Sequence, residues 1–153
     1  MLPFSRQSID KKDISSVIKV LKSNFITQGP KVIEFENKIS KFVKSKFAIA
    51  SNSGTSSLHL ACLAIGIKKG DIVWTVPNTF AASANCAINC GASIDFVDIN
   101  KDTWNMDINE LEKKLYISKK KKNYLKLLFL FTLPVNQQTK KKSGFYQKNI
   151  ILK

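Results

Sequence analysis

The chain has 153 residues, 44% of them hydrophobic, which is enough for one domain with a core and argues against disorder. Met1 to Asp10 holds no apolar stretch of the signal-peptide kind. The longest apolar run, Leu125 to Val135, is interrupted by Lys126 and is too short to cross a membrane, so a cytoplasmic protein without a membrane span is expected. The net charge of +14 is unevenly placed: residues 1–112 carry 13 basic and 11 acidic side chains, whereas residues 113–153 carry 12 lysines and no acid.

In chain order, Asp10 to Ser23 reads as a helix that Asp10 can cap, with Ile14, Val17, Ile18 and Leu21 on one face. Asn24 to Pro30 is a turn-rich connection. Lys31 to Val43 is a second amphipathic helix, with Val32, Phe35, Ile39, Phe42 and Val43 expected inward and lysines outward. Phe47 to Ala50 is expected to be a short buried strand. Thr55 to Ile65 is an apolar helix ended by Gly66. Ile72 to Val76 is the next strand, Thr79 to Cys90 the next helix, ended by Gly91, and Ser93 to Val97 a third strand. Ile108 to about Tyr116 is a last helix that Asp107 can cap, and Leu125 to Phe131 has the composition of a strand. Strands alternating with helices predict an α/β layout. The segment Ala81 to Ile88 is apolar nearly all round and requires cover on both sides, for which the chain is short of material.

Three cysteines with no CxxC pair and a single histidine cannot assemble a zinc site at normal spacing, so no metal is expected. Cys86 and Cys90, four residues apart, share a helix face, and all three read as free thiols in a reducing compartment.

Three segments can carry chemistry. Ser51-Asn52-Ser53-Gly54-Thr55-Ser56-Ser57 opens a helix, and Gly54 lets a ligand approach the backbone. Free N–H groups of a first helical turn suit a phosphate, although every such helix also needs an ordinary Ser/Thr cap, and both readings stand. There is no GxxxxGK[ST] and no GxGxxG, which excludes the nucleotide P-loop and the dinucleotide fingerprint. Val76 to Ser83 runs from a strand end into a helix and places Phe80 just inside that helix, either to stack on a flat ring or to fill the core. Thr27-Gln28-Gly29-Pro30 is a polar turn between helices. His59, between Leu58 and Leu60, reads as a packed or partly exposed helix histidine and not as a general base.

Taken in order, these pieces resemble the N-terminal part of the DegT/DnrJ/StrS sugar aminotransferases. The resemblance rests on Pro3-Phe4-Ser5-Arg6-Gln7 with Ile9-Asp10, Thr27-Gln28-Gly29-Pro30 with Val32 and Phe35-Glu36, and Ser53-Gly54-Thr55 with Leu58-His59-Leu60-Ala61. It continues through Gly70-Asp71, Pro77, Thr79-Phe80, Gly91-Ala92, Phe96-Val97-Asp98-Ile99, Thr103, Asn105 and Asp107. The opening and the Thr27–Pro30 turn most resemble the branch that aminates a UDP-linked 4-keto-6-deoxy-N-acetylhexosamine on the way to pseudaminic acid. The fold implied is α/β, an incomplete N-terminal part of the aspartate-aminotransferase-like (type I) large domain. The cofactor implied is pyridoxal 5'-phosphate (PLP), with Gly54 and Thr55 toward its phosphate and Phe80 on its ring. Thr27, Gln28 and Gly29 are implied to lie near the nucleotide sugar. The partners implied are an amino-acid donor such as glutamate and a second copy of the chain.

The family's pyridine-pairing aspartate and its cofactor-bearing lysine have no counterpart here. No catalytic residue is assigned, and the chain alone is expected to be inactive. Residues 1–118 are expected to be the family-like part and residues 119–153 a Lys-rich tail unlike the family. Read one base earlier, Leu127 to Gln138 can encode the strand the family carries at that place, and the lysine run Lys119 to Lys122 offers an adenine run for a frameshift. The rival expectation is a non-enzymatic module whose Lys-rich tail contacts nucleic acid or acidic membrane, without specificity for either.

Overall fold

A computed structural model of the chain describes residues 6–120 and 125–128. The expectations that fall on residues 1–5, 121–124 and 129–153, including part of the lysine run and the end of the Leu125–Phe131 strand, lie outside the described residues. The chain divides into two units, Met1–Ala50 and Ser51–Lys153.

The first unit holds helices α1 (Lys11–Leu21) and α2 (Pro30–Val43). Asp10 caps α1 as its position predicts. Its carboxylate accepts the N–H groups of Lys12 at 2.7 Å and Asp13 at 3.0 Å, and the Asp13 carboxylate accepts the Asp10 N–H at 2.9 Å. Pro30 occupies the first position of α2, where its missing N–H costs no hydrogen bond.

Neither helix buries a residue. Val32, Phe35, Ile39, Phe42 and Val43, expected inward, are exposed, Phe42 by 85%. An amphipathic face buries only against another layer, and two helices of 11 and 14 residues build no such layer within this unit. The strand expected at Phe47–Ala50 is absent as well: the segment is irregular, with Phe47 73% and Ile49 82% exposed. A strand needs a ladder partner, and the described sheet contains none for it. The Ala50 N–H is taken instead by the Glu36 carboxylate at 2.8 Å.

The second unit runs α3 (Gly54–Ala64), β1 (Ile72–Thr75), α4 (Ala82–Asn89), β2 (Ser93–Phe96), α5 (Ile108–Lys120) and β3 (Leu125–Leu128). The three strands are parallel in the order β2-β1-β3, with Val73 opposite Ile94 on one side and Leu127 on the other. A bulge falls between Ile72 and Val73 where β1 meets β3. Successive residues of β1 serve opposite cores, as the period of two requires. Val73 packs with Cys62, Cys86 and Ala87 beneath α3 and α4, whereas Trp74 and Val76 pack with Val97, Met106 and Leu111 on the α5 side. Helices on both faces of a parallel sheet are the α/β arrangement expected from the alternation.

Gly66 and Gly91, at φ +72° and +79°, end α3 and α4 in left-handed conformation. Strands β1 and β2 each stop one residue short of expectation. Helix α4 starts three residues later than expected because the first helical hydrogen bonds are accepted by the carbonyls of Phe80 and Ala81, from Ser83, Ala84 and Asn85. It buries Ala82, Ser83, Cys86 and Ala87, while Ile88 remains half-exposed, so one face is covered and the other is not. Asp107 caps α5 through the N–H groups of Asn109 at 2.7 Å and Glu110 at 3.3 Å. The helix continues to Lys120, past the expected end near Tyr116, because a lysine-rich end favours helix and suits the negative pole of the helix dipole.

Candidate functional site

The loop before α3 is built by its own hydroxyls. Ser53 caps the helix, its Oγ accepting the Ser56 N–H at 3.2 Å. The hydroxyls of Ser51 and Ser57 share a hydrogen bond of 2.6 Å, and Ser57 Oγ donates to the Ser53 carbonyl at 3.2 Å. Gly54 and Thr55 are exposed on the first turn, and their N–H groups meet no acceptor among the described residues. A Cβ built on Gly54 would meet no atom within 4 Å beyond its chain neighbours and the helix's own backbone, so the space beside Gly54 is open. Two unpaired N–H groups at the positive end of an 11-residue helix are an arrangement that suits an anion.

The second part of the site is the carboxyl end of β1, the central strand, which is the edge where parallel α/β sheets bind ligands. Residues 77–79 form a bend. Thr79 Oγ1 and Ser83 Oγ share a hydrogen bond of 2.9 Å across the start of α4. Phe80 lies ahead of α4 and not inside it, and the residue is 73% exposed, which removes the core reading. Asn78 Nδ2 is buried with no hydrogen-bond partner among the described residues, and so is the hydroxyl of the fully buried Thr75. The sequence patterns single out neither atom, because an unpartnered polar group is defined by its neighbours and not by its own spacing.

Thr27, Gln28 and Gly29 belong to the first unit. Gln28 takes φ +50° and Gly29 is buried, so that a Cβ there would meet Phe25 Cβ at 2.9 Å. Next to this turn, a cleft of about 650 Å³ is lined by Val17, Leu21, Ile26 and Phe35 with Lys31 and Lys38. Glu34 pairs with both lysines, at 2.5 Å and 2.7 Å.

His59 is half-buried in α3. Packing of α3 on α4 brings Cys62 to Cys86 and Cys90, a meeting the spacing of the latter two does not reveal. Burial, followed by the neighbouring Cys86 and Cys90 thiols, pushes the Cys62 thiol up to about 12, so it is no nucleophile at neutral pH. All three cysteines are free, and the described residues contain no group of three side chains able to hold a metal.

The DegT/DnrJ/EryC1/StrS aminotransferase family matches residues 7–123 of the chain. The chain belongs to this family. It is 46% identical over 115 residues to the UDP-4-amino-4,6-dideoxy-N-acetyl-beta-L-altrosamine transaminase of Campylobacter jejuni, an alignment covering 75% of this chain and 30% of the relative. It is 44% identical over 111 residues to the spore coat polysaccharide biosynthesis protein SpsC of Bacillus subtilis, covering 72% and 28%. Among solved structures, the PLP form of the sugar aminotransferase Spr1654 from Streptococcus pneumoniae superposes with a TM-score of 0.70 at 34% identity, covering 73% of this chain and 29% of that one. A DegT DnrJ EryC1 StrS aminotransferase from Brucella abortus gives 0.71 at 27% identity, covering 88% and 36%. The chain thus spans about 30% of the length of the curated relatives it matches. The fold is part of the α/β domain of this PLP-dependent family, and no helix of the described residues is long and apolar enough to cross a membrane.

The residues present fit a phosphorylated pyridine cofactor at two ends. The open turn over Gly54 suits the phosphate, and the exposed Phe80 ring suits the flat heterocycle.

Proposed function

We propose that this chain supplies the phosphate cradle and ring platform of a PLP-dependent nucleotide-sugar aminotransferase. The observation that carries the reading is the first turn of α3, where Gly54 and Thr55 offer unpaired N–H groups beneath open space in a chain of this family. Gly54 and Thr55 hold the phosphate through these groups. Phe80 lies against the ring and keeps water from that face. Thr27, Gln28 and Gly29, at the fixed turn into α2, position the nucleotide sugar. The cofactor, when bound, supplies the electron sink for amino transfer. The identity to the UDP-4-amino-4,6-dideoxy-N-acetyl-beta-L-altrosamine transaminase of Campylobacter jejuni supports a UDP-linked amino sugar of this kind as product. The acceptor is then the matching UDP-linked 4-keto-6-deoxy-N-acetylhexosamine, and the donor an amino acid such as glutamate.

The family-like part comprises residues 1–118, and residues 119–153 are a frameshifted Lys-rich tail. The family match runs to residue 123, five residues past this boundary and through the lysine run Lys119–Lys122. No acidic residue follows Glu112, so the tail offers no carboxylate to pair with a pyridine nitrogen. The polypeptide alone accordingly binds the cofactor in the cytoplasm without completing amino transfer, and the complete family enzyme works as a homodimer.

The test is to titrate the chain with PLP and then add glutamate and the UDP-4-keto sugar. The reading predicts saturable PLP binding that inorganic phosphate competes away, with no aminated product. Absence of PLP binding would refute the site, and turnover by these 153 residues would refute the proposed inactivity.

A further inference from the structure

A buried polar group that makes no hydrogen bond costs about 1–3 kcal/mol. Among the described residues such groups include Trp74 Nε1, Thr75 Oγ1 and Asn78 Nδ2; the first two lie within β1, and Asn78 stands on the turn beyond it. Asn78 Nδ2 is such a group, at the carboxyl end of the central strand. The turn around it closes without it. Thr79 Oγ1 is engaged by Ser83 Oγ at 2.9 Å, and the Phe80 carbonyl accepts the Ser83 N–H at 2.9 Å. The backbone therefore does not require an asparagine at this position.

We infer that Asn78 is a further cofactor-binding residue, donating its buried Nδ2–H to an acceptor oxygen on the pyridine ring beside Phe80. The inference rests on the reading of the preceding subsection. The ring end is selected over the phosphate by chain position. Asn78 and Phe80 are two residues apart on one turn, within about 7 Å at the backbone, whereas the phosphate cradle of Gly54 and Thr55 stands on another turn. Each turn then serves one end of the ligand. Phe80 offers the ring a face but no directional bond. A directional hydrogen bond from the Asn78 amide would fix the ring's rotation over that face, which a stacking contact alone leaves free.

The prediction separates binding from folding. Asn78→Ala removes an unpartnered donor, so the melting temperature without ligand should stay level or rise, while affinity for PLP falls about tenfold. Affinity for inorganic phosphate should not change. Asn78→Asp keeps the shape, replaces the donor by an acceptor, and should weaken PLP at least as much. Calorimetric titration of the 153-residue chain and both variants with PLP and with inorganic phosphate, alongside thermal melts, reads all of this. Unchanged PLP affinity in both variants would overturn the inference. So would an equal loss for inorganic phosphate, or a fall in the ligand-free melting temperature in both variants, which would make Asn78 a structural residue. Gly54→Val run beside them separates the two readings. Loss of phosphate binding there with Asn78→Ala silent leaves the phosphate cradle standing and removes Asn78. Loss confined to the Asn78 variants removes the cradle and keeps the amide.

Discussion

Ser51 and Ser57 face each other across the first turn of α3, their hydroxyls 2.6 Å apart, and so close the loop that presents Gly54 and Thr55. Ser57 also donates to the Ser53 carbonyl, which ties the capping residue into the same ring of bonds. Ser57→Ala removes both contacts without touching the ligand-facing N–H groups. A net loss of about 0.5–1.5 kcal/mol for the bonds translates into a severalfold weaker affinity for phosphate, with the helix retained. Phosphate titration beside circular dichroism checks this. Unaltered affinity would show that the loop is rigid without the pair.

Gly29 carries a different kind of constraint. A Cβ at this position would stand 2.9 Å from Phe25 Cβ and 3.2 Å from the Phe25 carbonyl oxygen. Neither atom is the far end of a flexible side chain, so the turn itself must shift. Gly29→Ala should cost about 1–3 kcal/mol and displace the Thr27–Gly29 backbone. Denaturant unfolding reads the cost, and a stability equal to that of the parent chain would contradict the close approach.

Lys114 fastens α5 to the sheet. Its ammonium lies 5.1 Å from the Trp74 ring centroid and 2.8 Å from the Asp95 carboxylate, and it donates to the Phe96 carbonyl. Asp95 is more than half exposed, so the ion pair itself is weak and the ring contact adds a comparable amount. Lys114→Met, which preserves the aliphatic stem, should lower stability by about 1 kcal/mol. No change on denaturant unfolding would assign the whole α5 anchorage to Leu111 and its apolar neighbours.

Glu34 gives the first unit a pH signature. Hydrogen bonds from Lys31 first and Lys38 second, with their charges, hold its carboxyl down to about 2 from an ordinary 4.5. A depressed carboxyl stabilises the fold above its unfolded value, and this contribution is lost as pH falls from about 4.5 through 2. Carboxyl-carbon NMR should place the Glu34 midpoint near 2, and Lys31→Ala should raise it toward 4.5. A midpoint already near 4.5 in the parent chain would contradict the double pairing.

Elements governed by local chemistry were legible in the sequence. The Asp10 and Asp107 caps, the glycine stops at Gly66 and Gly91, and the strands around Val73 and Ile94 each follow from residues within a few positions of one another. Elements that depend on distant partners were not. Phe47–Ala50 has strand composition but no ladder in the described sheet, and the apolar faces of α1 and α2 have periodicity but no further layer within the first unit. The site divides in the same way. Ser53 and Gly54 announce a helix start, and Phe80 was expected at the strand's carboxyl edge, yet its place ahead of α4 depends on which carbonyls the first helical turn selects. The orphaned amide of Asn78 and the joining of Cys62 to Cys86 and Cys90 are products of packing and have no signature in spacing.

The central claim is that the first turn of α3 receives the phosphate of the cofactor. Amide NMR of the isotope-labelled chain during titration with PLP tests it at single residues. The Gly54 and Thr55 N–H signals should move downfield and saturate together, with inorganic phosphate reproducing the shift at higher concentration. Binding of PLP that leaves both signals in place would contradict it.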